Sequence, residues 1–347
     1  MEKNSVISMS CAARIVKTNL RLNLRDARHK QQTNFEKSGT SGSLSPNLQP
    51  ATPPSFPNKE PLTATKIADK YLLLNRLEGS TLRRCIHIQS QQEYVCKVVP
   101  NERYRDVLRG HFRLDSHPNI NTVEEVLVGR SSTYVVFPRC YGDLHSYVRN
   151  KRNLREKEAL HLFKQVASAV AACHSAGIVL RDLKLRKFVF KDPERTLLKL
   201  ETLDDAVVLD EKDDWLKDKH GCPAYVSPEI LSPTNYYSGR AADCWSLGVM
   251  LYTMLVGRYP FHDTEPTGLF HKIRRGCYTV PEHLSCRAKC LIRSLLRMDP
   301  SERLTAEEVL DHPWFRNFKS CDELNASTDQ MVPDAEFSNE EDSPLFM

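Results

Sequence analysis

Apolar residues along this chain first follow a strand pattern and then recur at helical spacing. From Tyr71, the segments YLLLNRLEG and CIHIQSQQEYVCKVV set β-branched and apolar residues between polar turns, which predicts strands of a small sheet. Tyr134-Val-Val-Phe137 closes that region, and helix signals dominate after it. Ala159, Leu162, Phe163, Val166, Ala169, Val170 and Cys173 fall three or four apart, predicting a core-facing helix that stops at Gly177. The run WSLGVMLYTMLVG, Trp245 to Gly257, is apolar on every side yet shorter than the roughly 18 residues a membrane helix needs. It predicts the central buried helix of a second lobe. Sheet first and helices after is an α+β order.

The ends read differently. Ser38 to Pro61 is rich in Ser, Thr and Asn, with six prolines and few large apolar residues, so a disordered linker is expected. Its Ser45-Pro46 and Thr52-Pro53 are candidate sites for proline-directed kinases. The net charge of +5 conceals an asymmetry: seven Lys or Arg lie in the first 30 residues, whereas the last 32 hold eight Asp or Glu against Arg316 and Lys319. A dispersed basic tail of this kind suits nuclear import, an acidic surface or simple solvation. Met1 to Ser10 has no apolar signal core, so no membrane association is expected. The eleven cysteines form no CxxC pair, which points to a reduced, intracellular setting without a metal site; Cys286 and Cys290 read as ordinary helix residues.

Seven landmarks in order, YVCKVV, HPNI, VLRDLKLRKFVF, CPAYVSPEI, DCWSLGVMLY, DPSER and HPWF, resemble a protein kinase from about Tyr71 to Phe315. The resemblance implies a two-lobed fold, a small β-rich lobe followed by a larger helical one. It further implies that Glu229 pairs with Arg303 beneath the activation segment, and that Asp243 holds the catalytic-loop backbone beside Arg181. Buried carboxylates persist only when paired or hydrogen-bonded, so these four residues are read as structural.

The phosphate and metal parts depart from the pattern. Glu78, Ser80 and Arg83 stand at the three glycines of the phosphate loop, where side chains obstruct close backbone approach. Lys97 retains the strand lysine expected to touch phosphates, but Leu108 stands where its glutamate partner belongs, and Gly110 is expected to shorten or bend that helix. Thr202-Leu203-Asp204 replaces D-F-G, so a hydroxyl stands in for the magnesium-holding carboxylate, and Lys187 puts a cation at the other metal ligand. Using Glu201, Asp204 or Asp205 as metal ligands would require a register shift. Phosphoryl transfer is mostly positioning and charge neutralisation, so no magnesium, and weak or no ATP binding, is expected. Asp182 remains as a base without a positioned substrate, leaving a very slow, metal-independent Ser/Thr kinase as the alternative. Between Asp204 and Ala224 no Ser, Thr or Tyr is available for phosphorylation, and the acids Asp204, Asp205, Asp210, Glu211, Asp213, Asp214 and Asp218 read chiefly as a solvated face, with contact to Arg181 as the lesser option.

With GRYPFHD and KIRRG, these substitutions closely resemble the Tribbles pseudokinases. That resemblance implies a disordered tail (1–69), a pseudokinase domain (70–315) and an acidic tail (316–347). It also implies a scaffold in nucleus and cytoplasm, with no required cofactor and no direct nucleic-acid partner. Asp329-Gln330-Met331-Val332-Pro333-Asp334 resembles the family motif for the β-propeller of the constitutive-photomorphogenesis ubiquitin ligase; Val-Pro favours an extended backbone and the flanking acids suit a basic rim. C/EBP-type transcription factors are the implied substrates, and MAP-kinase kinases and Akt-type kinases further partners. His312-Pro313-Trp314-Phe315 resembles the segment assigned to MAP-kinase kinase docking, although the same residues close many ordinary kinase domains by packing on the lobe.

Overall fold

Neighbouring residues on the central strand of the small lobe are both buried, because the sheet is covered on both faces. In the computed structural model, residues 64–77, 80–209, 213–233 and 236–316 are described, together with the backbone of Ile15–Lys17. The strands are β1 (Ile15–Lys17), β2 (Thr65–Ile67), β3 (Tyr71–Arg76), β4 (Arg83–His87), β5 (Glu93–Pro100), β6 (Glu125–Val128) and β7 (Ser132–Pro138). They form one sheet in the order β1-β6-β7-β5-β4-β3-β2, antiparallel throughout except for β1 against β6. On β5, Cys96 joins Tyr71, Leu73, Cys85 and Val136 on one face, while Val95 joins Leu82, Val126, Val135 and Phe137 on the other. Helix α1 (Tyr104–Arg113) closes the second face with Leu108.

One boundary differs from the sequence reading. The sheet starts before residue 70, because Ile67 pairs with Tyr71 across a turn in which Ala68 and Asp69 take positive φ of 49° and 55°. A three-residue strand carries too little periodicity to be seen in sequence. The stretch CIHIQSQQEYVCKVV is part of two strands, folded back between β4 and β5.

The large lobe is built on α2 (Leu144–Lys151), α3 (Glu156–Ser175), α4 (Gly239–Val256), α5 (Pro266–Arg275), α6 (Cys286–Leu295) and α7 (Ala306–Asp311). Helix α4 runs through its middle, capped at the start by Ser238, whose hydroxyl accepts from Ala241 N at 3.1 Å. It ends at Gly257, with φ +80°, where an added Cβ would strike the Arg152 carbonyl at 1.8 Å. No helix among the described residues is long and apolar enough to cross a membrane.

Trp314 closes the lobe. It is 2% exposed, lies edge-on to Phe163, and donates from Nε1 to Glu156 at 3.3 Å, while Phe315 stacks on Phe163 at 6.3 Å. His312 caps the last turn by accepting from Trp314 N at 3.2 Å, and Pro313 opens that turn. Of the four residues 312–315, Trp314 is thus part of the core, whereas Pro313 is exposed and His312 and Phe315 are half-buried.

Candidate functional site

Three segments meet between the lobes: β5 with Lys97, the 3-10 turn Leu185–Lys187 that ends the catalytic loop, and residues 201–206. A backbone bond from Glu201 N to the Lys187 carbonyl at 2.7 Å ties the last two together. In this arrangement each cation finds a carboxylate of the same short segment. Lys97 Nζ is paired with Asp204 Oδ2, which also accepts from Thr202 Oγ1 at 2.9 Å; Lys187 Nζ meets Asp205 Oδ2 at 2.6 Å. Asp182 is paired with Lys184. Thr81 accepts a further bond from Lys97 Nζ at 3.3 Å, so a side chain of the phosphate loop also lies on this ammonium. Glu78 and Gly79 lie outside the described residues.

Helix α1 shows why Lys97 looks to Asp204. Leu108 is wholly buried in the small-lobe core, and the helix turns His111 toward Lys97 in place of an acid. Burial, and next the Lys97 ammonium, lower the His111 pKa to about 4, so that imidazole is neutral near pH 7. Helix α1, expected to be short or bent, is ten residues long and runs on past Gly110 to Arg113. Gly110 lets α1 approach Leu203, whose Cδ1 and Cβ would stand 3.2 and 3.3 Å from an added Cβ. Leu203 is thereby clamped beneath α1, and Asp204, the next residue, is delivered to Lys97.

The electrostatics follow from burial. Desolvation, and next the Lys187 ammonium, bring the Lys97 pKa down to about 8, with Asp205 and Glu201 opposing. Burial alone would raise Asp205, but the charge and hydrogen bond of Lys187, together with His220 and Lys97, outweigh it and hold the carboxyl below the usual range. Glu201 goes the other way: burial lifts it to about 7 against the pull of Lys187 and Lys97. A carboxyl whose folded pKa exceeds its unfolded value favours the folded state fully at low pH and loses that contribution as pH rises from about 4.5 to about 7. Glu201→Gln is accordingly expected to raise the melting temperature at pH 7 by several degrees and hardly at all at pH 4.5. Thermal unfolding of both proteins across that window checks this, and a pH-independent difference would refute it.

The kinase fold implies magnesium and a nucleotide triphosphate, and the residues here do not fit that pair. The positions of its two protein ligands carry a hydroxyl, Thr202, and an ammonium, Lys187, while the nearby carboxylates Asp204 and Asp205 are committed to lysines. Octahedral magnesium requires oxygen donors free of such partners. Among the described residues no cluster of three or more His, Cys, Asp or Glu is arranged to hold a metal. The cavity between Asp182, Lys187, Thr202 and Asp205 measures about 10 Å³, at most room for a water.

Among the described acids of the activation segment, Asp214 and Asp218 anchor it, Asp218 through the Arg181 contact that was the lesser option, while Asp213 is exposed and Asp210 and Glu211 lie outside the described residues. Arg181 binds the Asp218 carboxylate and donates from Nε to the Asp205 carbonyl at 2.7 Å. Tyr237 Oη donates to the Asp218 carbonyl at 2.8 Å, and Asp214 Oδ2 accepts from Ser238 Oγ at 2.7 Å and Arg240 N at 2.9 Å. Beneath them Asp243, 1% exposed, accepts from Leu180 N at 2.8 Å and Arg181 N at 2.9 Å and meets His174 Nε2 at 3.0 Å. Those bonds hold Arg181 at φ +61°, a strained value for a residue with a side chain. Arg303 forks onto Glu229, Nη1 to Oε1 at 2.5 Å and Nη2 to Oε2 at 2.7 Å, and donates to the Ala241 carbonyl at 3.0 Å.

The structure thus brings Lys97, Lys187 and Thr202 to one site, places Asp182 on the same small cavity but paired with Lys184, and sets Arg181, Asp243, Glu229 and Arg303 below. The tail residues Asp329 to Asp334 lie outside the described residues. Sequence reasoning missed Asp204 and Asp205 as lysine partners, and offered contact of the acids with Arg181, which Asp218 makes, only as the lesser option. The available signal was the loss of the α1 glutamate alongside new acids next to a conserved-type lysine site.

Residues 78–315 match the family profile described as the protein kinase domain. Tribbles homolog 2 of Mus musculus is 56% identical over 310 residues, covering 88% of this chain and 90% of that protein. Tribbles homolog 1 of Homo sapiens is 56% identical over 273 residues, or 78% and 73% of the two chains. Tribbles homolog 3 of Mus musculus is 51% identical over 295 residues, or 83% of each.

Proposed function

Because this chain belongs to the Tribbles family of pseudokinases within the protein-kinase superfamily, we propose that it is an adaptor whose large lobe and activation segment hold a substrate while its tail recruits a ubiquitin ligase. The observation that carries the reading is the self-neutralised phosphate site: Lys97 and Lys187, the cations a nucleotide would need, are already paired with Asp204 and Asp205. A site closed in this way favours binding over phosphoryl transfer. The substrates are C/EBP-type transcription factors, and the ligase is of the constitutive-photomorphogenesis type, engaged through Asp329, Gln330, Met331, Val332, Pro333 and Asp334. MAP-kinase kinases and Akt-type kinases are further partners, bound and modulated in nucleus and cytoplasm. Holding substrate and ligase on one chain raises their effective concentration, so modest affinities suffice.

Calorimetry of the ligase β-propeller against the full chain and its Val332→Ala, Pro333→Ala variant tests the tether. Saturable binding by the full chain and at least about a hundredfold weakening in the variant are expected, as for loss of a central anchor pair. Equal binding by both would sink it. The rival reading, a slow metal-independent kinase, draws on the retained Asp182–Lys184 pair of the catalytic loop. It requires phosphate transfer above that of a Lys97→Ala, Asp182→Ala double variant.

A further inference from the structure

Five large apolar side chains are exposed among the described residues, and two of them, Trp215 at 61% and Tyr236 at 52%, belong to one small ribbon. That ribbon pairs Trp215–Leu216 of the activation segment with Tyr237–Ser238 ahead of helix α4, Trp215 opposite Ser238 and Leu216 opposite Tyr237. Residues opposite one another point to the same face, and successive residues alternate between faces. Leu216 and Tyr237 are buried in the large-lobe core, so Trp215 and Tyr236, each one step from a buried residue, share the outward face. Lys217 shares it too: the register extends to place it opposite Tyr236, and its Nζ lies 4.8 Å over that ring.

This face is held from behind. Tyr237 Oη donates to the Asp218 carbonyl at 2.8 Å, and Gly239 N donates to the Asp214 carbonyl at 2.9 Å. Single exposed apolar residues are ordinary, but a Trp and a Tyr fixed on one side of an anchored ribbon offer a large contact area that loses little entropy on binding. Charge then narrows the partner. The acids beside the patch are already engaged, Asp214 by Ser238 Oγ and Arg240 N, and Asp218 by Arg181. The cations are not: exposed Lys217 forms no ion pair among the described residues, and exposed Lys219 donates to the Ser232 carbonyl at 3.2 Å instead of to a carboxylate. Asp213 is the one exposed acid of 213–219 without such a partner among the described residues.

We propose that Trp215, Lys217 and Tyr236 form a docking surface for an acidic segment of another protein, whose large apolar side chain packs on the two rings while a neighbouring carboxylate pairs with Lys217. Neither the interlobe site nor the acidic tail enters this argument, so the surface stands or falls separately from the ligase tether.

Tryptophan fluorescence of the full-length protein tests it, because Trp215 is the exposed one of three tryptophans, Trp245 and Trp314 being 0% and 2% exposed. The probe is the synthetic peptide acetyl-Glu-Asp-Leu-Phe-Glu-Asp-amide, set against one with lysines for its acids and one with alanines for Leu-Phe. Acrylamide quenching is expected to fall at least about twofold with the acidic peptide, as a centrally packed Trp loses contact with solvent, and with neither of the others. Binding of the dye-labelled acidic peptide, read by anisotropy, should weaken at least about tenfold in Trp215→Ala and in Tyr236→Ala. Lys217→Glu, which leaves both rings in place, should reverse the preference in favour of the lysine peptide. No shielding by the acidic peptide, or equal shielding by the lysine one, would overturn the proposal. So would emission that resists acrylamide without any peptide, since the patch would then be covered already by this chain or, where resistance grows with protein concentration, by a second copy.

Discussion

Arg303→Ala is expected to cost the large lobe about 3–5 kcal/mol, the scale for removing one partner of a buried ion pair. The Arg303 side chain is 1% exposed and that of Glu229 12%, so the carboxylate left behind cannot be rehydrated without opening the lobe. The loss extends beyond the pair, because the same guanidinium donates to the carbonyls of Ala241, Arg297 and Met298. Three acceptors would therefore lose their bonds along with the charge partner. Glu229→Gln keeps the shape and an acceptor and should cost less. A double change to apolar residues of similar volume should recover much of the loss, since no unpaired charge remains. Urea denaturation midpoints of the four proteins measure this. An Arg303→Ala cost under about 1 kcal/mol, the size of an exposed pair, would refute the buried-anchor account.

Replacing Asp204 and Asp205 together by asparagine is expected to raise affinity for ADP, measured by calorimetry in chelator, by about 10–100-fold through the release of two ammonium groups. In the parent protein a diphosphate must displace Asp204 from Lys97 and Asp205 from Lys187 before it gains either cation. Asparagine retains an acceptor for the Thr202 hydroxyl and removes only the charge. The effect should fade as pH rises, and should do so below the parent Lys97 value of about 8 because Asp205, which raises that value, no longer carries a charge; a neutral amine offers no charge to phosphate. Phosphate transfer is not expected to follow the gain in binding, since Thr202 and Lys187 still provide no magnesium site. Unchanged ADP affinity in the double variant would show that the two carboxylates are not what closes the site.

Helix α4 was legible in the sequence because fifteen of its residues are buried, and such an all-round apolar run has one stable location, the middle of a lobe. The start of β2 was not legible: Thr65–Ile67 is too short to display a period, and it exists as a strand only through its pairing with β3. The role of Gly110 was hidden for a related reason. Helix propensity penalises glycine locally, whereas the close approach to Leu203 that requires it is a contact between distant segments.

The candidate site divides along the same line. That Thr202 and Lys187 replace carboxylate and amide positions is a matter of residue identity, and from it the sequence alone determined that the usual magnesium chemistry has lost its ligands. Which acid neutralises which lysine was decided only by tertiary structure. Asp204 and Lys97 are 107 positions apart, Arg181 and Asp218 are 37 apart, and Glu229 and Arg303 are 74 apart. Coulomb attraction acts through space over a few ångströms, so pairing is set by how α1 clamps Leu203, how Asp243 holds Arg181, and how the lobe closes on Arg303.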